Sequence, residues 1–400
     1  MAADLRADVV VVGAGPAGAM AAVELATLGI DVLVVERSIF PREKICGDGL
    51  LEESLQILAA VGLDQKVRRK AHAIECIRFV APDGGEFQLE GDFCTLRRKD
   101  LDALLLEEAC GRGANFLDGI EVKEPFLNDG TGVGVVGLGP RKAKVTIAAS
   151  LVLLATGANP RVLRDFGVLE RKTASAIGVR GYFRLREHAN ERAMIISYDR
   201  RLLPGYGWIF PLGAGIYNVG RGIALDRWGK LGKVGQHVES LQEHAHPLST
   251  FLRRAEPVRP LQVGMMRTGF QGARACASGL LVLGEALGLT FPFLGEGVSS
   301  ALASGRLAAR VAEKALKAGD FSAQFLDGYE RQLRQQLDAR HKAYFAAQRW
   351  FRYAPVATFL ITRAARDRRF RELIREILIG NTTARAVFSL RGLGKIFLPL

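Results

Sequence analysis

The stretch FPREKICGDGL, Phe40 to Leu50, sets one cysteine, Cys46, in a glycine-flanked loop between a strand-like and a helix-like segment. A thiol with a reference pKa of ~8.5 is a weak acid and, once deprotonated, a nucleophile. Gly47 and Gly49 leave the loop backbone free to approach a ligand closely. The plainer role for such a residue is a small apolar filler, which is what a free cysteine most often is. Upstream, Gly13, Gly15 and Gly18 have the spacing G-x-G-x-x-G, with Ala17 between them, and Glu36 closes the next apolar run. That set suits a dinucleotide. Gly13 permits a tight turn, Gly15 lets a pyrophosphate reach the backbone, Gly18 lets helix and strand pack, and Glu36 accepts from a ribose hydroxyl.

Elements must hold these residues in place. Val9 to Val12 form a continuous apolar run suited to a strand buried on both faces. A helix follows the glycines and aims its N-terminal N–H groups at the phosphates; DVLVVE then supplies the second strand. The same glycine spacing recurs at Gly132 to Gly137, but a turn and a strand follow it, so this second copy reads as a hairpin. An acid at the strand end disfavours a 2′-phosphate, whereas Arg37 beside it favours one. NAD, NADP and FAD therefore all stay open on these residues alone.

Composition narrows the class. With 48% hydrophobic residues and 45 glycines, the 400-residue chain is globular, not disordered. Cysteines 46, 76, 94, 110 and 276 form no C-x-x-C pair, which points to reduced thiols and a cytoplasmic protein. The six histidines are scattered, His244 and His246 included, so no metal site is expected. No signal peptide opens the sequence and no apolar run reaches the ~18 residues of a membrane span. Net charge is +13, and residues 331–400 carry fifteen Lys/Arg against four Asp/Glu, so the excess lies almost wholly in the tail. In that tail Phe370, Leu373, Ile374, Ile377 and Leu378 fall at helical spacing among arginines. The pattern suits a helical lid that packs inward and presents bases to an anionic membrane surface. No recognition module accompanies the charge, so nucleic acid is not an expected partner.

Further segments carry a resemblance. LRRKDLDALLLEEA opens a helix at Arg98, LVLLATG ends a buried strand at Gly157, and LVLGEALGLTFPFLGEGVSS joins Gly284 and Glu285 to Gly295, Glu296, Gly297 and Val298. Together with the N-terminal motif, PREKICGDGL and the PGYGWIFP segment, they resemble the geranylgeranyl reductase family of FAD-dependent oxidoreductases, which shares the aromatic-hydroxylase fold. The resemblance covers roughly residues 6 to 330. It implies an α/β and α+β protein, with a Rossmann-like FAD-binding domain (1–72, 96–170, 270–330) interleaved with an antiparallel-sheet substrate domain (73–95, 175–265). Basic amphipathic helices (335–400) complete it.

The resemblance also implies roles. Gly13, Gly15, Ala17, Gly18, Glu36 and Arg37 would hold the ADP half of FAD, Arg98 and Gly157 the nucleotide, and Gly284 and Glu285 the ribityl chain. Glu285 departs from the aspartate usual there and, one methylene longer, must fold back. Gly295, Glu296, Gly297 and Val298 would bring a helix N-terminus to the flavin, and Gly47 would bring Cys46 over its reactive face as a catalytic residue. Tyr206, Trp208, Phe210 and Pro211, with Phe291, Pro292 and Phe293, would wall an apolar substrate pocket. The activity implied is saturation of carbon–carbon double bonds in an isoprenoid, with NADPH or ferredoxin as external electron donor. Two rivals remain on the same scaffold: a flavin-dependent hydroxylase or halogenase, and a non-enzymatic prenyl-chain carrier. A halogenase would want two tryptophans before the proline of GYGWIFP, where only Trp208 stands.

Overall fold

The computed structural model describes residues 3–128, 132–225, 247–378 and 382. His244, His246, part of the expected substrate segment and most of the last twenty-two residues lie outside that set. Apolar strands build the first sheet. Leu5–Val12 pairs in parallel with Val32–Val35 on one side and Lys144–Leu154 on the other. Asn115–Leu117 and Leu280–Val282 extend it at the two edges. Register aligns the strand ends: Val12 lies opposite Val35 and Leu154, and Leu154 opposite Val282. The loops beginning at Gly13, Glu36, Ala155 and Leu283 therefore leave the sheet along one edge. That edge, at the carboxyl ends of parallel strands, is where open α/β sheets bind ligands. The second glycine repeat is the strand Gly132–Leu138, paired antiparallel with Glu121–Asn128 and Lys144–Leu154.

The second sheet joins Ala176–Arg184, Ile216–Ala224, Tyr206–Pro211, Ala193–Ser197, His72–Val80 and Glu86–Thr95 in that spatial order, with Gln262–Met266 also on Ala176–Arg184. It is not wholly antiparallel, as the sequence had suggested: Ala193–Ser197 runs parallel to His72–Val80. Parallel neighbours need a long crossover, and the chain makes one here by building four of the first sheet's eight strands between them. Gly49–Leu50 pairs with Cys94 and Thr95 at the sheet's edge. The Cys46 loop thus leaves one sheet after Val35 and enters the other at Gly49, bridging both.

Small residues let the helices close over the first sheet. A Cβ on Gly305, in Val298–Ala318, would sit 2.3 Å from the Ala17 carbonyl oxygen in Pro16–Thr27. The helix Ala323–Trp350 runs unbroken through residues 330–335. Tyr329 Oη donates to Val282 O near its start (3.0 Å), and Tyr344 Oη donates to Ile377 O near its end (2.8 Å). Arg340 makes a two-pronged pair with Glu53 (2.7 and 3.0 Å), and Arg375 bonds Glu52 (3.1 Å). Part of the tail's charge therefore ties it to the N-terminal half. In Arg368–Leu378 the apolar face packs inward, with Phe370, Ile377 and Leu378 buried, while Arg368 and Arg369, and Arg366 at the end of the preceding helix, stay exposed. No helix among the described residues is long and apolar enough to cross a membrane.

Candidate functional site

A cavity of about 410 Å³ runs from the glycine loop of the first sheet to the aromatic strand of the second. At its nucleotide end lie Gly13, Gly15, Ala17, Glu36 and Arg37. Gly13 has φ +106°, and a Cβ there would meet Ala155 O at 2.4 Å, so the turn admits no side chain. Gly18 lies off the cavity, packed where a Cβ would stand 2.0 Å from Gly13 O. Glu36 uses its carboxylate to accept from Ala14 N (3.1 Å) and Ser38 N (3.1 Å), which fixes the glycine loop against the second strand.

Two guanidinium groups sit beside Gly15, with Arg98 Nη2 and Arg42 Nη2 3.7 and 3.8 Å from where a Cβ would be. Arg98 is clamped by Asp102 one helical turn on, through Nε and Nη2 at 2.8 Å each. Arg42 Nη1 reaches the same carboxylate at 2.8 Å and its Nε lies 3.6 Å from Glu36. Burial opposes the charge on Arg98, but Asp102 more than offsets it and holds its pKa above the ordinary value. The result is a fixed, charged arginine at the point where a phosphate would approach the backbone.

Cys46 lies between this cluster and the aromatic strand, half-buried, and the surface it keeps lines the cavity. Burial pushes its thiol pKa up, against the pull of the neighbouring Arg98. The loop is bolted down by Asn218, which is fully buried. Asn218 Nδ2 donates to Cys46 O and to Asp48 Oδ2, both at 2.7 Å, and its Oδ1 accepts from Trp208 Nε1 at 2.9 Å. Asp48, at φ +67°, also accepts from Tyr182 Oη (2.9 Å) and Arg98 N (3.2 Å). Its pKa is raised by burial and held back by those bonds and by Arg180, which stacks 4.1 Å from the Tyr182 ring centroid. At Gly47 a Cβ would lie 3.3 Å from Phe210 and 3.8 Å from Trp208 Nε1, so the loop lies directly on the aromatic strand.

Tyr206, Trp208 and Phe210 line the cavity as alternation predicts, with successive ring centroids 6.2 and 6.4 Å apart. Pro211 does not; it ends the strand, and its carbonyl accepts from Thr95 Oγ1. Phe291, Pro292 and Phe293 form the facing wall, joined to the strand by Tyr206 Oη donating to Leu294 O. Gly157, Glu285, Gly295, Glu296, Gly297 and Val298 close the cavity, whereas Gly284 packs behind it against Ala17. The Oε2 of Glu285 lies 3.7 Å from both Lys44 Nζ and a Cβ on Gly157. Glu296 caps the helix beginning at Val298 by accepting from Ser299 N (2.8 Å) and Oγ (2.7 Å), and burial raises its pKa.

This geometry has known counterparts. Residues 6–197 match the FAD binding domain family. Digeranylgeranylglycerophospholipid reductase 2 of Methanopyrus kandleri is 30% identical over 86% of both chains. The chain belongs to the geranylgeranyl reductase family of FAD-dependent oxidoreductases. Menaquinone reductase of Mycolicibacterium smegmatis is 31% identical over 76% of each chain. Among solved structures, a geranylgeranyl bacteriochlorophyll reductase-like protein of Thermoplasma acidophilum shares the fold (TM-score 0.77, 21% identity, 98% of this chain and 96% of that one). So does a flavin-dependent brominase (TM-score 0.79, 21% identity, 98% of both).

The residues present fit FAD. Thr156 Oγ1 is buried, on a residue of the cavity wall, without a hydrogen-bond partner among the described residues. The bare backbone at Gly13 and Gly15 leaves a cradle that side chains would fill. Glu36 and Gly15 could hold the adenosine and pyrophosphate, Arg98 and Arg42 the phosphate charge, and Glu285 and Thr156 the polar chain beyond. Sequence reading missed Arg42, Asp48, Asp102, Tyr182, Arg180 and Asn218. Two signals were present: the i,i+4 spacing of Arg98 and Asp102, and a lone Asn in the apolar strand around Asn218. Arg42, Asp48 and Tyr182 gave none, because their partners are remote in sequence.

Proposed function

We propose that this enzyme saturates an isolated carbon–carbon double bond in a prenyl or other isoprenoid lipid-like substrate. One observation carries the reading: Cys46, beside Arg98 and with its carbonyl held by Asn218, meets the Tyr206–Trp208–Phe210 wall in the same cavity that reaches the glycine loop. Bound FAD supplies the two electrons as a hydride. The apolar walls hold the chain by burial at ~0.8 kcal/mol per CH₂, so that no polar contact need grip it, and they keep water from the reacting bond. A proton must reach the other carbon. Burial keeps Cys46 a thiol at neutral pH, able to hand on a proton, and Arg98 stabilises the thiolate left behind until water restores it. The names of the relatives, one a digeranylgeranylglycerophospholipid reductase and one a menaquinone reductase, favour the same substrate class.

NADPH or a ferredoxin would reduce the flavin from outside. The exposed Arg366, Arg368 and Arg369 would bring the enzyme to an anionic membrane where such lipids reside. The test is anaerobic: the bound flavin is reduced chemically, prenyl compounds are added, and absorbance reports which of them reoxidises it. Failure of every alkene, with oxygen consumed in the presence of an aromatic compound, would replace this reading with a hydroxylase.

A further inference from the structure

A second space of about 80 Å³ lies beneath the C-terminal helices, with almost no polar surface. Ala347 of Ala323–Trp350 and Phe351 just after it, Leu360 of Ala354–Arg366 and Ile377 of Arg368–Leu378 line it. Phe79, Phe293, Leu294 and Leu378 line both this space and the main cavity, so the two adjoin across a shared partition. Phe293 is held in that partition by rings from separate parts of the fold: Tyr198 stacked at 6.0 Å and Phe351 tilted at 4.5 Å. Its backbone, at φ +74°, lies in the left-handed region that bulky residues avoid, a cost the surrounding packing must hold in place. An apolar void in a dense core is itself destabilising, and an apolar guest removes the cost.

We propose that the two spaces hold one ligand. The reacting bond lies in the main cavity beside Cys46, the distal isoprene unit of the same chain lies under the C-terminal helices, and Phe293 sets how far the chain reaches. This rests on the prenyl-substrate reading and adds to it a length-selecting subsite. It also gives the tail helices a role in substrate choice, through a wall that touches neither the glycine loop nor Cys46.

The test uses the FAD-loaded protein and prenyl alcohols of two and four isoprene units, with binding followed by tryptophan fluorescence, since Trp208 lines the main cavity. Ala347→Leu fills the second space from a fully buried position outside the main cavity. It should weaken the four-unit alcohol by about 15- to 50-fold, the burial of two or three CH₂ groups, and leave the two-unit alcohol within about twofold. Phe293→Gly, which suits the left-handed backbone, should remove the partition and raise the preference for the longer chain about tenfold or more. If Ala347→Leu fails to fold, Phe293→Gly decides alone. An unchanged length preference in the folded variants overturns the subsite while leaving the prenyl reading intact. Failure of both alcohols to bind the wild type overturns that reading and the subsite with it.

Discussion

Asn218→Ala is the sharpest test of how the Cys46 loop is held. The amide saturates both its donors, on Cys46 O and Asp48 Oδ2, and receives the Trp208 indole N–H, all within 2.9 Å. Truncation strands a part-buried carbonyl and a buried indole N–H, and strips one of two bonds from a carboxylate oxygen that keeps only Tyr182. At ~1–3 kcal/mol for each buried group left unpaired, with some relief from entering water, the loss should be about 3–5 kcal/mol. Urea unfolding of the FAD-loaded protein measures it. The loop should also shift, and a misplacement of about 1 Å near reacting atoms lowers kcat/KM by ~100-fold. Asn218→Asp separates charge from packing. It keeps the acceptor for Trp208 but sets a second carboxylate against Asp48. Two carboxylates in contact hold a proton at higher pH than either alone, so its penalty should shrink as pH falls from neutral towards about 4 and be smallest below that. An Asn218→Ala protein that unfolds within about 1 kcal/mol of wild type and keeps its kcat/KM would refute the bridge.

Other expectations can be checked in the same preparations. Cys46→Ala should cut alkene reduction at least tenfold while flavin reduction by the external donor is unchanged, as separated by stopped-flow absorbance; equal turnover would remove the thiol from the mechanism. Gly18→Ala drives a Cβ to 2.0 Å from Gly13 O, so stability should fall by about 1–3 kcal/mol and FAD affinity at least tenfold in a flavin-fluorescence titration. Glu296 has a raised pKa in the fold, so the protonated side chain contributes its full stability below about pH 4 and loses it as pH rises through the folded value. Glu296→Gln, which can still accept from Ser299 N, should accordingly unfold at higher urea than wild type at pH 7, with the gain vanishing below about pH 4. Arg340→Ala leaves Glu53 without its two-pronged partner in a part-buried site and should cost about 2–4 kcal/mol by urea unfolding, loosening the C-terminal helices before the glycine loop.

Much of this protein could be read before any coordinates. The strand, glycine turn and helix from Leu5 to Thr27 follow from local rules: an apolar run, three spaced glycines and a helix that starts with Pro16. Alternation put Tyr206, Trp208 and Phe210 on one face because a strand has a period of two. The second glycine repeat was legible as a strand because nothing helical comes after it. The tail was harder. Its bases were expected to face an anionic membrane, yet Arg340 and Arg375 pair with Glu53 and Glu52, nearly three hundred residues earlier and more. Pro211 and Gly284 were read as lining residues but stand one layer behind, since a motif names neighbours in sequence and not the direction each side chain takes.

By itself, then, the sequence determined the pieces whose causes are local: which runs become strands, where the backbone must turn, and which residue types can meet a phosphate or an oily chain. Only the tertiary structure decided how the Cys46 loop is gripped, that Arg98 and Arg42 share Asp102, and that the tail helices enclose a second apolar space. The reason is physical. Burial and desolvation act on groups brought together across tens to hundreds of residues, and no periodicity or spacing records which distant side chains will share one dry cavity.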